Sequence, residues 1–147
     1  MLKISTKTFQ DLTTQELYDA LQLRSEVFVV EQDCVYQDID GKDQKALHVL
    51  GYKDNELVAY TRIFKPGDYF ENASIGRVVV KKEARQFKYG YVIMEASIEA
   101  IAAHYNETAI KISAQTYLTK FYNNLGFKKV GEGYLEDGIP HISMVKN

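Results

Sequence analysis

Arg85 and Lys88 lie three residues apart in a 147-residue chain, with Gly90 two positions further on, shortly after the apolar run Val78-Val79-Val80. A strand, a short basic loop and a helix start, in that order, build an anion site. The first turn of a helix leaves its N–H groups without partners, and the aligned peptide dipoles put about half a positive charge there. A phosphate is stabilised at that point before any side chain helps, and Arg85 and Lys88 add full charges. Gly90, lacking a Cβ, allows a ligand to approach the backbone closely. The chemistry indicated is the holding of a polyphosphate.

Other reactive residue types are sparse. Cys34 is the single cysteine; it cannot form an intramolecular disulfide, and no His-rich segment lies near it to make it a nucleophile. His48, His104 and His141 are far apart and show no zinc-ligand spacing with one another or with Cys34. Asp38-Ile39-Asp40-Gly41 lies in an acidic run from Glu31 to Asp43, but the spacing fails for a calcium loop. A turn with Gly41 at positive φ is expected instead, with clustered negative charge around it.

The elements that must position these residues follow from periodicity. Residues 2 to 9 alternate as a first strand, and Thr13 with Glu16 forms a capping-box pattern opening a helix to about residue 30. Strands are expected at Ala46–Tyr52 and Leu57–Phe64 around a polar turn, and at Ser74–Val80 after Pro66-Gly67-Asp68. A helix from Gly90 should place Ile93, Ala96, Ala100, Ile101 and His104 on one face. A strand at Ala109–Ala114, a short helix at Tyr117–Leu125 capped by Gly126, and a hairpin around Glu136-Asp137-Gly138 complete the chain. The order implies an α+β fold: a meander followed by a βαβ crossover that makes Val78–Val80 and Ile110–Ile112 parallel neighbours.

Composition supports one domain of 147 residues, large enough to bury its own core, with 46% hydrophobic and 26% charged residues and no repeat or linker. The net charge of −2, with basic residues scattered, argues against nucleic acid. No apolar run approaches the length of a membrane span, and Met1-Leu2-Lys3-Ile4-Ser5 has no apolar signal region. A cytoplasmic protein, away from membranes, is expected.

With these residues in view, Val80-x-x-x-x-Arg85-x-x-Lys88-x-Gly90 is similar to the acetyl-CoA pyrophosphate loop of the GCN5-related N-acetyltransferases, the GNAT superfamily. Tyr122-Asn123-Asn124-Leu125-Gly126-Phe127 resembles the tyrosine-to-Gly-Phe segment near the end of that fold. The segments 23–32, 36–40 and Leu135-Glu136-Asp137-Gly138-Ile139-Pro140-His141 look like its ElaA-type branch. The family loop usually has glycine where this chain has Lys88.

The resemblance implies a mostly antiparallel sheet of six to seven strands with about four helices, and acetyl transfer by direct attack of a primary amine on acetyl-CoA, without a metal. It assigns coenzyme contacts to Val78, Val79, Val80, Arg85, Gln86, Phe87, Lys88, Tyr89, Gly90, Tyr91 and Gln115, and the general acid to Tyr122. The base stays open among His48, His141, Glu71 and Glu132. Glu31, Asp38 and Asp40, with Glu136 and Asp137, suggest a negative rim that steers a cationic acceptor. An acyl-homoserine-lactone synthase, or a non-catalytic coenzyme-binding regulatory module, is the alternative; the chain acts as monomer or homodimer.

Overall fold

The computed structural model describes residues 1–147. Its strands are β1 (Lys3–Thr8), β2 (Leu47–Lys53), β3 (Glu56–Phe64), β4 (Ala73–Val80), β5 (Ile110–Gln115), β6 (Lys128–Glu136) and β7 (Ile139–Lys146). They form one seven-stranded sheet in the order β1-β2-β3-β4-β5-β7-β6. All neighbours are antiparallel except β4 and β5. The helices are α1 (Thr14–Arg24), α2 (Tyr89–Tyr105) and α3 (Thr119–Asn124). This is the expected mixed α+β architecture with its meander and crossover.

The capping box at the head of α1 is complete. The Thr13 hydroxyl accepts from the Glu16 N–H at 3.0 Å, and the Glu16 carboxylate accepts from the Thr13 N–H at 2.8 Å. Past Arg24 the helix widens into a π-helical stretch, Ser25–Glu31. Such stretches are rare and cluster at functional sites.

The sheet is covered on both faces, so β3 is buried along almost its whole length. Alternation divides its neighbours: Val49, Ile63 and Ile75 pack with Ile93, Met94 and Ile101 of α2, while Leu50, Tyr60 and Val79 pack with Ala20 and Leu23 of α1 and with Val27 just beyond it. The buried face of α2 differs from the expected one at its end. His104 is exposed, and Tyr105 packs against the core instead.

The crossover register also differs. β4 pairs with β5 only at Ala73 with Ile110 and Ser74 with Lys111. Val78–Val80 and Ile112 therefore lie beyond the pairing, where the two strands part. A bulge adds to the divergence: between the Tyr60–Val79 and Arg62–Gly76 pairs, β4 carries one residue more than β3. Arg77 takes a left-handed φ of 49° at that bulge, which bends the strand and turns its side chain.

The acidic segment after the π-helical stretch is folded inward. Arg24 donates from Nε to Asp38 at 2.8 Å and from Nη1 to Asp43 at 2.9 Å. Arg62 donates to Asp40 at 2.9 and 2.6 Å and to Asp43 at 2.9 Å. Arg77 donates to the Asp38 carboxylate at 2.7 Å and to its carbonyl at 2.8 Å. Burial pushes the carboxyls of Asp40 and Asp43 up, but the hydrogen bonds and charges of the arginines outweigh it and hold both below the usual range. Gly41 turns this segment at φ 78°.

Removing one partner of a buried pair leaves the other uncompensated. Arg24→Ala, whose parent side chain is 1% exposed, is expected to cost about 3–5 kcal/mol in urea unfolding. The same network sets an acid limit. Asp40 and Asp43 are depressed in the fold, so their stabilisation is present above the ordinary carboxylate pKa of about 3.9 and lost as pH falls below it. His48 is also depressed, by burial, so it begins to withdraw stability already as pH falls below about 6.5. Urea midpoints should decline in two stages, and His48→Gln should remove the first.

Candidate functional site

The gap between the diverging strands opens two adjoining cavities. The first, about 380 Å³, is lined by Val78, Val79, Val80, Arg85, Lys88, Gly90 and Tyr91 on one side and by Gln115, Tyr117 and Phe121 on the other. The second, about 120 Å³, lies on the α1 side and includes Tyr36, Arg62, Ser74, Gly76, Arg77 and His141. They share Phe28, Gln32, Val78, Gln115, Leu118 and Tyr122. A molecule lying in one presents its end to the other at Tyr122.

The π-helical stretch supplies Phe28 to this junction, and Gln32 follows it. Gln32 donates its side-chain amide to the Gln115 side-chain carbonyl at 3.1 Å, tying the first helix to β5 across the gap. Opposite, the edge of β4 beyond Ser74 has no strand partner, leaving its peptide groups facing the first cavity. α3 brings Tyr122, which is 5% exposed and packed edge-on against Phe121 and Phe127. Burial pushes the Tyr122 phenol up, the reverse of the depression that would match a thiol, so it keeps its proton throughout the neutral range.

The basic loop folds as a 3₁₀ turn, Lys82–Phe87, and the helix after it starts at Tyr89. Lys88 at the joint has φ 59° and ψ 29°, a left-handed conformation in which a side chain is disfavoured and glycine is free. This explains why glycine suits the position, and the lysine side chain is exposed. Gly90 has a packing reason as well: a Cβ there would stand 3.2 Å from the Phe121 ring. Gln86, Phe87 and Tyr89 do not line the cavity. Tyr89 is in the core, and Phe87 lies under the Lys53 ammonium at 4.0 Å.

Several expected roles change. Arg85 forms a two-pronged pair with Glu31 at 2.6 and 2.9 Å, so neither charge is free, and Glu31 is held below the usual range by that hydrogen bond. Asp38 and Asp40 are not a rim open to substrate, because Arg24, Arg62 and Arg77 occupy their oxygens. His48 is 1% exposed, shares Nδ1 with the Tyr60 hydroxyl at 2.6 Å and donates from Nε2 to the Asp43 carbonyl at 2.9 Å. It lines neither cavity and has no path to a base role. Glu71 and Glu132 are exposed and outside both cavities.

His141 is different. It pairs with Gln115 across β5 and β7, lines the second cavity, and donates from Nδ1 to the Ile139 carbonyl at 2.7 Å. A carbonyl only accepts, so the neutral ring bears its proton on Nδ1 and leaves Nε2 bare, 3.4 Å from Glu136. Glu136 and Asp137 line the same cavity, and the Cys34 thiol donates to the Asp137 carbonyl at 3.3 Å. The sequence reading passed over Arg62 and Arg77. A lone arginine inside an apolar strand pattern such as Ala59-Tyr60-Thr61-Arg62-Ile63-Phe64 signals that acidic partners must be buried beside it.

A family model described as an acetyltransferase (GNAT) domain matches residues 8–147. Protein ElaA of Escherichia coli is 46% identical over 138 residues, covering 92% of this chain and 90% of that one. Its crystal structure superposes with a TM-score of 0.93 over the full length of both chains, at 43% identity. An acyl-CoA N-acyltransferase from Pseudomonas aeruginosa superposes with a TM-score of 0.92 at 42% identity, covering 99% of this chain and 100% of that one. The AHL synthase LasI, at 12% identity, a TM-score of 0.79 and coverage of 99% and 89%, shares the fold alone. The chain belongs to the GNAT acetyltransferase family, in its ElaA-like branch, and is an acyltransferase. No helix is long and apolar enough to cross a membrane.

The left-handed joint gives a direct check. Lys88→Val puts a β-branched residue at φ 59° and should lower stability by about 1–3 kcal/mol in urea unfolding. Lys88→Gly should leave stability within about 1 kcal/mol, relief of strain offsetting added chain entropy.

Proposed function

We propose that the protein transfers the acetyl group of acetyl-CoA to a primary amine that enters from the second cavity. The observation that carries this reading is the parting of β4 and β5 after Ser74, which leaves one edge of β4 unpaired along a cleft that ends at Tyr122. Peptide groups of Val78 and Val80 would hold the pantetheine arm as an added strand holds to a sheet edge. Arg85, Lys88, Gly90 and Tyr91 would hold the pyrophosphate at the head of α2.

The amine attacks the thioester carbon and forms a tetrahedral oxyanion, which collapses with departure of the coenzyme thiolate. His141 Nε2, left bare by its Nδ1 hydrogen bond, takes the proton from the attacking nitrogen, and Glu136 stabilises the resulting imidazolium. Tyr122 donates a proton to the leaving sulfur. Its phenol, raised by burial, stays protonated through the neutral range and so carries the proton that the leaving sulfur takes. Glu136 and Asp137 give the second cavity its negative side and draw in a cationic acceptor, whose ammonium releases one proton to water before the free amine attacks.

Calorimetry should show acetyl-CoA binding to the wild type. Arg85→Ala should weaken it, whereas Glu31→Gln, by releasing the Arg85 guanidinium for phosphate, should strengthen it; no change in either variant would remove Arg85 from the coenzyme site. Tyr122→Phe should lower kcat about 10²-fold or more with little effect on coenzyme affinity. His141→Gln should lower kcat about 10²-fold or more at every pH where the wild type is active. A Tyr122→Phe enzyme turning over at the wild-type rate would return that residue to the core.

A further inference from the structure

The hairpin of β6 and β7 is irregular where it passes His141. Val130 pairs with Ser143 and Tyr134 with His141, so residues 131–133 of β6 stand opposite Ile142 alone. An unbroken ladder would have set Glu132 against His141. The bulge, turned by Gly131 at φ 75°, sets Tyr134 there instead. Directly opposed residues project to the same face of a sheet, as do residues two apart on one strand. Tyr134, Glu136 and His141 therefore share a face, and Ser113 of β5, which pairs with Ser143, joins them.

The side chains on that face touch in sequence. The Tyr134 ring lies 21° from parallel to the His141 imidazole, with centroids 6.2 Å apart, and its hydroxyl is hydrogen-bonded to the Ser113 hydroxyl. Ser113 Oγ lies 3.4 Å from Glu136 Oε1, and Glu136 Oε2 lies 3.4 Å from His141 Nε2. A carboxylate only accepts, so Ser113 gives its one proton to Glu136 and accepts in turn from Tyr134. The polarity of the chain is thereby set, from Tyr134 through Ser113 to Glu136.

Glu136 needs such an anchor. Its side chain is 46% exposed, and holding a glutamate in one rotamer at the edge of solvent costs side-chain entropy. The hydrogen bond from Ser113 offsets that cost and keeps the second oxygen beside Nε2. Because Nδ1–H is committed to the Ile139 carbonyl, Nε2 and the carboxylate face each other as two acceptors. Both are satisfied only when a proton arrives between them.

We propose that Tyr134 and Ser113 are positioning residues for the acceptor side of the reaction: their hydroxyls hold the Glu136 carboxylate against His141 Nε2, where it steadies the imidazolium as the amine gives up its proton. In that step the N–H bond of the attacking nitrogen breaks and the Nε2–H bond forms, and the proton leaves to water past the half-exposed glutamate. The bulge in β6 is the device that brings Tyr134, and not Glu132, to this place. The inference rests on the acetyltransferase reading for what His141 does with the proton, but not for whether the two hydroxyls hold Glu136.

Two measurements test it. In crystals of the coenzyme-free protein, Tyr134→Phe, which keeps the ring and loses only the hydroxyl, and Ser113→Ala should each release the Glu136 side chain from Nε2, whereas Ser113→Thr should leave it in place. In turnover of acetyl-CoA, on whichever of a panel of small primary amines the wild type acetylates fastest, Tyr134→Phe and Ser113→Ala should each lower kcat about threefold or more with the KM for acetyl-CoA unchanged, and Ser113→Thr should restore it. Tyr134→Phe added to Glu136→Gln should cost nothing further, because the group it acts through is already gone. A Glu136 that stays beside Nε2 in both variants, an unchanged kcat, or an equal loss with and without the Glu136 carboxylate overturns the assignment. If Glu136 is released as expected and the wild type acetylates no amine, the positioning chain stands and the acetyltransferase reading falls.

Discussion

The balance between three arginines, two of them fully buried, and three aspartates is the constraint on which the functional half of the molecule depends. Arg62 comes from the centre of the sheet, Arg77 from the bulge of β4 and Arg24 from the end of α1, while all three aspartates come from one loop. Neither set tolerates burial without the other. Their pairing pins the acidic loop to the sheet and to the end of α1, and forms a wall of the second cavity. His48 and Tyr60 complete the same cluster from below, with burial holding the imidazole neutral and the phenol protonated.

With that wall in place, the gap between β4 and β5 becomes a passage rather than a packing fault. β4 is held on one side by β3 and bent by its bulge, and β5 is held by β7, so the two strands meet at only two residue pairs before separating. The backbone edge thus exposed would be a liability on an ordinary sheet. Here it is enclosed by the π-helical stretch, α3 and the basic turn, so that it lines a cavity instead of facing solvent. Gln32 and Gln115 bridge the gap where the two cavities meet.

Charge assignment was the point at which local reading and fold diverged most. Along the chain, Asp38, Asp40 and Asp43 form an acidic run with a single lysine among them, which resembles a solvated, negative surface. Their partners Arg24, Arg62 and Arg77 are 14 to 39 residues away in sequence, on three different elements. The acidic character of the site survives in a different place, at Glu136 and Asp137, because the turn between β6 and β7 projects over the cavity. Arg85 shows the same effect in the opposite sense, a basic residue whose charge is shared with Glu31.

The sequence alone determined those features that depend on neighbours along the chain: the capping box at Thr13 and Glu16, the strand alternation of the meander, the strand-loop-helix order around Val80 to Gly90, and the short helix bearing Tyr122. Hydrogen bonds and periodic burial over four to eight residues enforce them, so residue order is enough. Only the tertiary structure decided which charges are free and which strands part. It placed His141 in the cavity and His48 outside it, though both are histidines in strands, because His141 pairs with Gln115 of β5, which borders the gap, whereas β2 is separated from the gap by β3 and β4. It also left Arg62 Nε and Ser74 Oγ buried without a hydrogen-bond partner. Those outcomes turn on which groups share a low-dielectric interior, and that is settled by long-range packing and charge compensation, which residue order by itself does not specify.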